Sequence, residues 1–140
     1  LMAGPLSQSA REKSLANDFG PTHGANSPTQ FLLALYTGHP EFGGVELNST
    51  DCPGYARPTI NNTAFALVDG RFEVEVTPAN ATGAWTQVAD YAVLLNATTP
   101  TEAWDYAPIQ RVQVNAAGAL TPIVFTVFYS DDATTPSVAK

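Results

Sequence analysis

The stretch Phe65–Val76 constrains this chain more than any other. It reads Phe-Ala-Leu-Val-Asp-Gly-Arg-Phe-Glu-Val-Glu-Val, and Asp69-Gly70 suits a two-residue type I′ turn, in which both central residues take positive φ. The flanks then set a hairpin register. Val68 faces Arg71, Leu67 opposes Phe72 and Phe65 opposes Val74, which gathers apolar side chains on one face and leaves Glu73 and Glu75 on the other. A hairpin with one apolar face must bury it, so the rest of the chain has to supply further strands.

Such strands are legible downstream and upstream. Phe31–Thr37 is apolar on both alternating rows, Phe31/Leu33/Leu35 and Leu32/Ala34/Tyr36, the pattern of a buried central strand. Val88–Leu95, Ala103–Ala107, Arg111–Asn115 and Pro122–Tyr129 follow, separated by Asn, Thr, Pro and Gly clusters at the spacing of an antiparallel β-sandwich or jelly roll. The expected fold is therefore all-β. A two-layer sandwich needs one inward face per sheet. The second apolar row of Phe31–Thr37, and that of Val124/Thr126/Phe128 beside Ile123/Phe125/Val127/Tyr129, must then meet a subunit, a leading arm or a covering loop.

Leu6–Phe19 is the only stretch suited to a helix, with no Gly or Pro and with Leu6, Ala10, Leu15 and Phe19 too sparse for a full core-facing stripe. An isolated helix of this length is marginal in water, so it needs a surface to lie on. Gly20–Pro28 concentrates turn formers and reads as a linker. Three regions result: an N-terminal arm and linker, extended or short-helical, over 1–28; a sandwich over 29–132; and a flexible tail over 133–140.

Composition narrows the function classes. The 140 residues carry 6 Lys+Arg against 13 Asp+Glu, a formal charge of −7, so the chain offers no cationic footprint for nucleic acid. Its longest apolar run, Phe31–Tyr36, is far short of the roughly 20 residues a membrane helix needs. Leu1–Pro5 has neither a basic start nor an apolar h-region, so no secretory signal is expected there. The single cysteine, Cys52, excludes an intrachain disulfide and reads as a small buried or loop thiol.

No catalytic spacing stands out: there is no nucleophile elbow, zinc-protease motif, phosphate loop or calcium loop. His39, near Glu41, and His23 both read as solvated loop histidines. Glu73 and Glu75 share a strand face as paired carboxylates could, but a solvated sheet face explains them more simply. The sequons at Asn48, Asn61, Asn80 and Asn96 fit turn vocabulary. Trp85, Trp104, Tyr55, Tyr91 and Tyr106 suit core and strand-edge packing better than a sugar platform. No catalytic residue, cofactor or metal is expected.

Five segments occur in a suggestive order: Phe31–Thr37, ending in Ala-Leu-Tyr-Thr; Gly43-Gly44-Val45-Glu46-Leu47; Gly54-Tyr55-Ala56-Arg57; Trp85-Thr86-Gln87-Val88; and Val114-Asn115-Ala116-Ala117-Gly118. Together, over Thr29–Asp132, they resemble a family of small bacteriophage virion proteins labelled tail fibre proteins. The polar N-terminal arm and Asn96–Pro100, standing where the family has an Asp-Gly-rich turn, are departures from it. The resemblance implies a non-enzymatic virion protein that assembles with other virion proteins or as a homo-oligomer, for instance a trimer. Gly43, Gly44, Gly54, Tyr55, Arg57 and Trp85 would be its structural motif residues, and Leu6, Leu15 and Phe19 the anchors of the arm. Arg57 is expected to pair with an acidic strand residue and Tyr55 to pack at a sandwich corner. The rival readings are a capsid decoration protein and an adhesin module that binds a host-surface glycan.

Overall fold

A computed structural model of the chain describes residues 28–127. The arm anchors Leu6, Leu15 and Phe19, His23, Phe128, Tyr129 and the expected tail lie outside the described residues. The elements are β1 (Gln30–Thr37), β2 (Val45–Glu46), β3 (Thr59–Asn61), a 3-10 turn (Asn62–Ala64), β4 (Ala66–Val68), β5 (Arg71–Val76), β6 (Ala89–Asn96), β7 (Ala103–Val112) and β8 (Ile123–Val127). They form two antiparallel sheets packed as a β-sandwich: β2-β1-β6-β7, with β3 also on β1, and β4-β5-β8.

The hairpin forms in the expected register, with Val68 opposite Arg71 and Leu67 opposite Phe72. Asp69 and Gly70 take φ of 51° and 79°, the pair of positive values a type I′ turn requires. Inward pairs then continue from β5 to β8: Phe72 with Val127, Val74 with Phe125, Val76 with Ile123, all buried. From the other sheet Phe31, Leu33, Leu35, Ala92 and Leu94 meet them in one core. Each such Leu or Phe contributes about 1.5–3 kcal/mol by leaving water, which makes this the main favourable term of the fold. Glu73 and Glu75 face the opposite way from these inward residues, with Glu75 exposed, as the hairpin register required.

Two expectations need correction. Ala103–Ala107 and Arg111–Asn115 are not two strands; β7 runs unbroken from Ala103 through Pro108 to Val112. Among the described strands β7 pairs only with β6, and a strand with one unpaired side tolerates a residue that lacks an N–H. Leu67, expected within the apolar cluster, is 46% exposed, because β4 is a short strand with only β5 beside it among the described strands. Of the second row of β8, Val124 is exposed and Thr126 half-buried, while Phe128 lies outside the described residues.

Candidate functional site

The outer row of β1 has a different fate from that of β8. Leu32, Ala34 and Tyr36 pair across the sheet with Leu95, Val93 and Tyr91 of β6, and Val93 pairs onward with Tyr106 of β7. Ala34, Val93 and Leu95 form a second apolar cluster, separate from the main core, with Leu32, Tyr36 and Tyr106 packed against it. It lies on the side of the sheet facing away from β4-β5-β8. A groove of about 790 Å³ opens over it, floored by Val93 and Leu95 and bordered by Tyr36, Tyr106, Glu41 and Arg57.

One end of this face is closed by rings. His39 packs against Phe42, Tyr91 and Tyr106 at centroid distances of 4.5, 5.0 and 5.1 Å. Its Nδ1 accepts the amide of Glu41, whose carboxylate in turn accepts the Tyr106 hydroxyl; that bond is the main reason the phenol is pushed up to about 12. His39 is thus not the solvated loop histidine that its Gly and Pro neighbours suggested. It is half-buried, because the β1–β2 turn folds it onto the aromatic residues of β6 and β7. Phe42 at the turn's tip is 82% exposed.

The motif residues build the loop edge beside β2, where Arg57 reaches the rim of the same groove. Gly54 has φ +88°, and a Cβ there would stand 2.6 Å from the Asn80 carbonyl oxygen and 2.8 Å from the Thr82 nitrogen. That close approach lets the Gly54–Arg57 segment lie against the 80–82 loop, where Thr82 N donates to Pro53 O at 3.0 Å. Tyr55 packs edge-on against the buried Trp85, whose indole donates to Pro53 O at 2.9 Å. Arg57 meets Glu46 of β2 through two bonds, Nε at 2.8 Å and Nη2 at 2.7 Å, and the Tyr55 hydroxyl donates to the same carboxylate at 2.8 Å. Burial pushes the Glu46 carboxyl upward, but the Arg57 and Tyr55 bonds outweigh it and hold the group below the usual range. The Arg57 pairing with an acidic strand residue is as the sequence led us to expect. Gly43 adopts φ +86° in the β1–β2 turn, and a side chain on Gly44 would run into the carbonyl oxygens of Gly38 and His39.

The remaining candidates have local roles. Asn48 caps its own turn by accepting the amides of Thr50 and Asp51, and Asn96 does the same for Thr98. Asn61 accepts from Gln30. Trp104 is half-buried, edge-on to Phe31, with its indole donating to Glu102. Cys52 is fully buried.

Sequence reasoning missed one residue. Asp105, between two aromatic residues of β7, is 6% exposed, with Oδ1 accepting the Tyr106 amide at 2.9 Å and Oδ2 without a partner. An acid inside an aromatic strand was the only signal available. Among the described residues no group of three or more His, Cys, Asp or Glu could hold a metal ion, and no helix is long and apolar enough to cross a membrane. Comparison with family models, curated proteins and solved structures finds no match.

Proposed function

We propose that this chain is a non-enzymatic structural component of a bacteriophage virion, of tail or fibre type, that assembles with further copies or with other virion proteins. The observation that carries this reading is the second apolar cluster, Ala34, Val93 and Leu95 with Leu32, Tyr36 and Tyr106, on the side of the sheet away from the sandwich core. Ala34, Val93 and Leu95 are themselves buried, so what this patch offers a partner is its rim: the half-buried Leu32, Tyr36 and Tyr106, beside an 82% exposed Phe42, the kind of apolar surface that subunits use against one another. The ordered motifs of the tail fibre family support the same reading. Their residues Gly54, Tyr55, Arg57 and Trp85 are occupied here in holding the sandwich edge, which suits a building block. The leading segment Leu6–Phe19 would add apolar anchors at an entropic cost of ordering.

The test is the mass of the full chain in solution, followed by its place in a particle reconstruction. An oligomer that Leu32→Ser with Tyr106→Ser dissociates, without loss of the folded state, supports the proposal; a monomer at all concentrations overturns it. Location on the capsid surface would make the chain a decoration protein, and binding to a glycan array through Tyr36 and Tyr106 would replace assembly with adhesion.

A further inference from the structure

The seam between β6 and β7 contains an irregularity at the position of the buried acid. Leu94 pairs with Asp105 but Leu95 pairs with Ala103, so Trp104 is an extra residue and the ladder is broken there. A bulge of this kind leaves backbone groups outside the regular ladder and is where a sheet opens at least cost. Asp105 stands across from Leu94, a core residue, and receives one hydrogen bond, from the neighbouring amide.

Among the described residues no charged side chain is hydrogen-bonded or ion-paired to it. On β6 the ionisable groups are Asp90, which accepts the Gly38 amide, and Tyr91, which stacks on His39 at the far end. Between Ile123 and Val127, β8 carries no ionisable side chain, and the only one on β1 is Tyr36 of the outer row. On β7 and its approach, Glu102 is engaged with Trp104 and Asn96, Tyr106 with Glu41, and Arg111 lies six residues on.

We propose that Asp105 and the Trp104 bulge form a proton-controlled latch on the β6–β7 seam. The neutral carboxyl keeps the seam closed, and ionisation favours a locally opened seam in which the carboxylate reaches water, drawing Trp104 off Phe31 and Tyr106 off the outer face. The carboxyl O–H ionises, its proton passes to water, and no other covalent bond changes. Burial raises this carboxyl from 3.8 to about 7 in the closed seam, while the open seam restores ordinary solvation. The closed form therefore holds the proton throughout the interval between those values. Raising the pH across it favours opening by about tenfold per unit, and the effect levels off above the upper value. The inference stands independently of the proposed function.

The full chain serves for the test. A carbon-13 NMR titration of the Asp105 carboxyl is expected to show a midpoint near neutrality, and a midpoint near 3.8, the ordinary aspartate value, would overturn the latch. Hydrogen exchange at Leu94, Leu95, Trp104 and Tyr106, corrected for the intrinsic pH dependence, is expected to accelerate about tenfold per unit from pH 5 to 7. D105N is expected to abolish that acceleration, with Asp105→Leu as the second variant if the amide is not tolerated. The same acceleration in the variant overturns the proposal. So does parallel acceleration at the core amides of β1 and β5, which would mean that the whole sandwich, not the seam, responds to the proton.

Discussion

The hydroxyl of Tyr55 accepts the backbone amide of Leu35 at 3.0 Å, at the one stretch of β1 that neither β2 nor β3 reaches. β3 covers Gln30–Leu32 and β2 covers Tyr36–Thr37; between them Leu33 donates to Pro58 O and Leu47 donates to Leu35 O. A side chain twenty residues away thus completes the ladder of the central strand. Tyr55→Phe keeps the ring against Trp85 but leaves the Leu35 amide without its acceptor. We expect a loss of about 1–3 kcal/mol, the cost of an unsatisfied buried donor, measured by urea unfolding.

The Arg57–Glu46 pair is partly exposed, so its worth is modest. Arg57→Ala is expected to cost about 1 kcal/mol at neutral pH. Because the folded Glu46 carboxyl lies below its unfolded value of 4.5, its contribution is present above that value and is lost as pH falls through the folded one. Acid unfolding curves should show this: the variant loses less stability than the parent on acidification below the unfolded value.

Two glycines of similar φ separate strain from collision. Gly43→Ala at φ +86° meets no atom within 4 Å and should cost only the backbone term, about 1–2 kcal/mol. Gly54→Ala at φ +88° adds a clash with the backbone of Asn80 and Thr82, which cannot rotate away, and should cost about 3 kcal/mol or more. Thermal unfolding of the pair checks the difference.

Cys52 is 0% exposed, and burial, more than any other influence, raises its thiol above the ordinary value. Both effects remove thiolate from reach. A colourless thiol reagent such as a disulfide of nitrobenzoate should leave the native chain unlabelled at neutral pH and react fully in denaturant. Rapid labelling of the native chain would contradict the buried placement.

Much of the fold was legible because its signals are local. Asp69-Gly70 fixes a turn by the φ values its two residues tolerate, and the alternation on either side then sets the register without reference to anything distant. The double apolar row of β1 announced a strand buried on both faces, and both rows are indeed packed. Of the site, the Arg57 pairing with an acidic strand residue was readable from residue chemistry. The unbroken β7, the wedged His39 and the buried Asp105 were not. Proline marks a break only where its missing N–H is needed, and His39 is solvated only if its turn does not fold back.

By itself, then, the sequence determined that the chain forms antiparallel strands, where its tightest turn lies, which rows are apolar and that the central strand has two faces to cover. Those follow from φ preferences and a period of two, which act over a few residues. Only the tertiary structure decided that Tyr55 caps the amide of Leu35, that Glu46 gathers both Arg57 and Tyr55, and that Asp105, beside a bulge at Trp104, lies out of water. Each of these depends on which strands lie side by side. That choice belongs to the packing of the whole sandwich, where the gain from joining many distant apolar side chains outweighs the cost of one buried carboxyl.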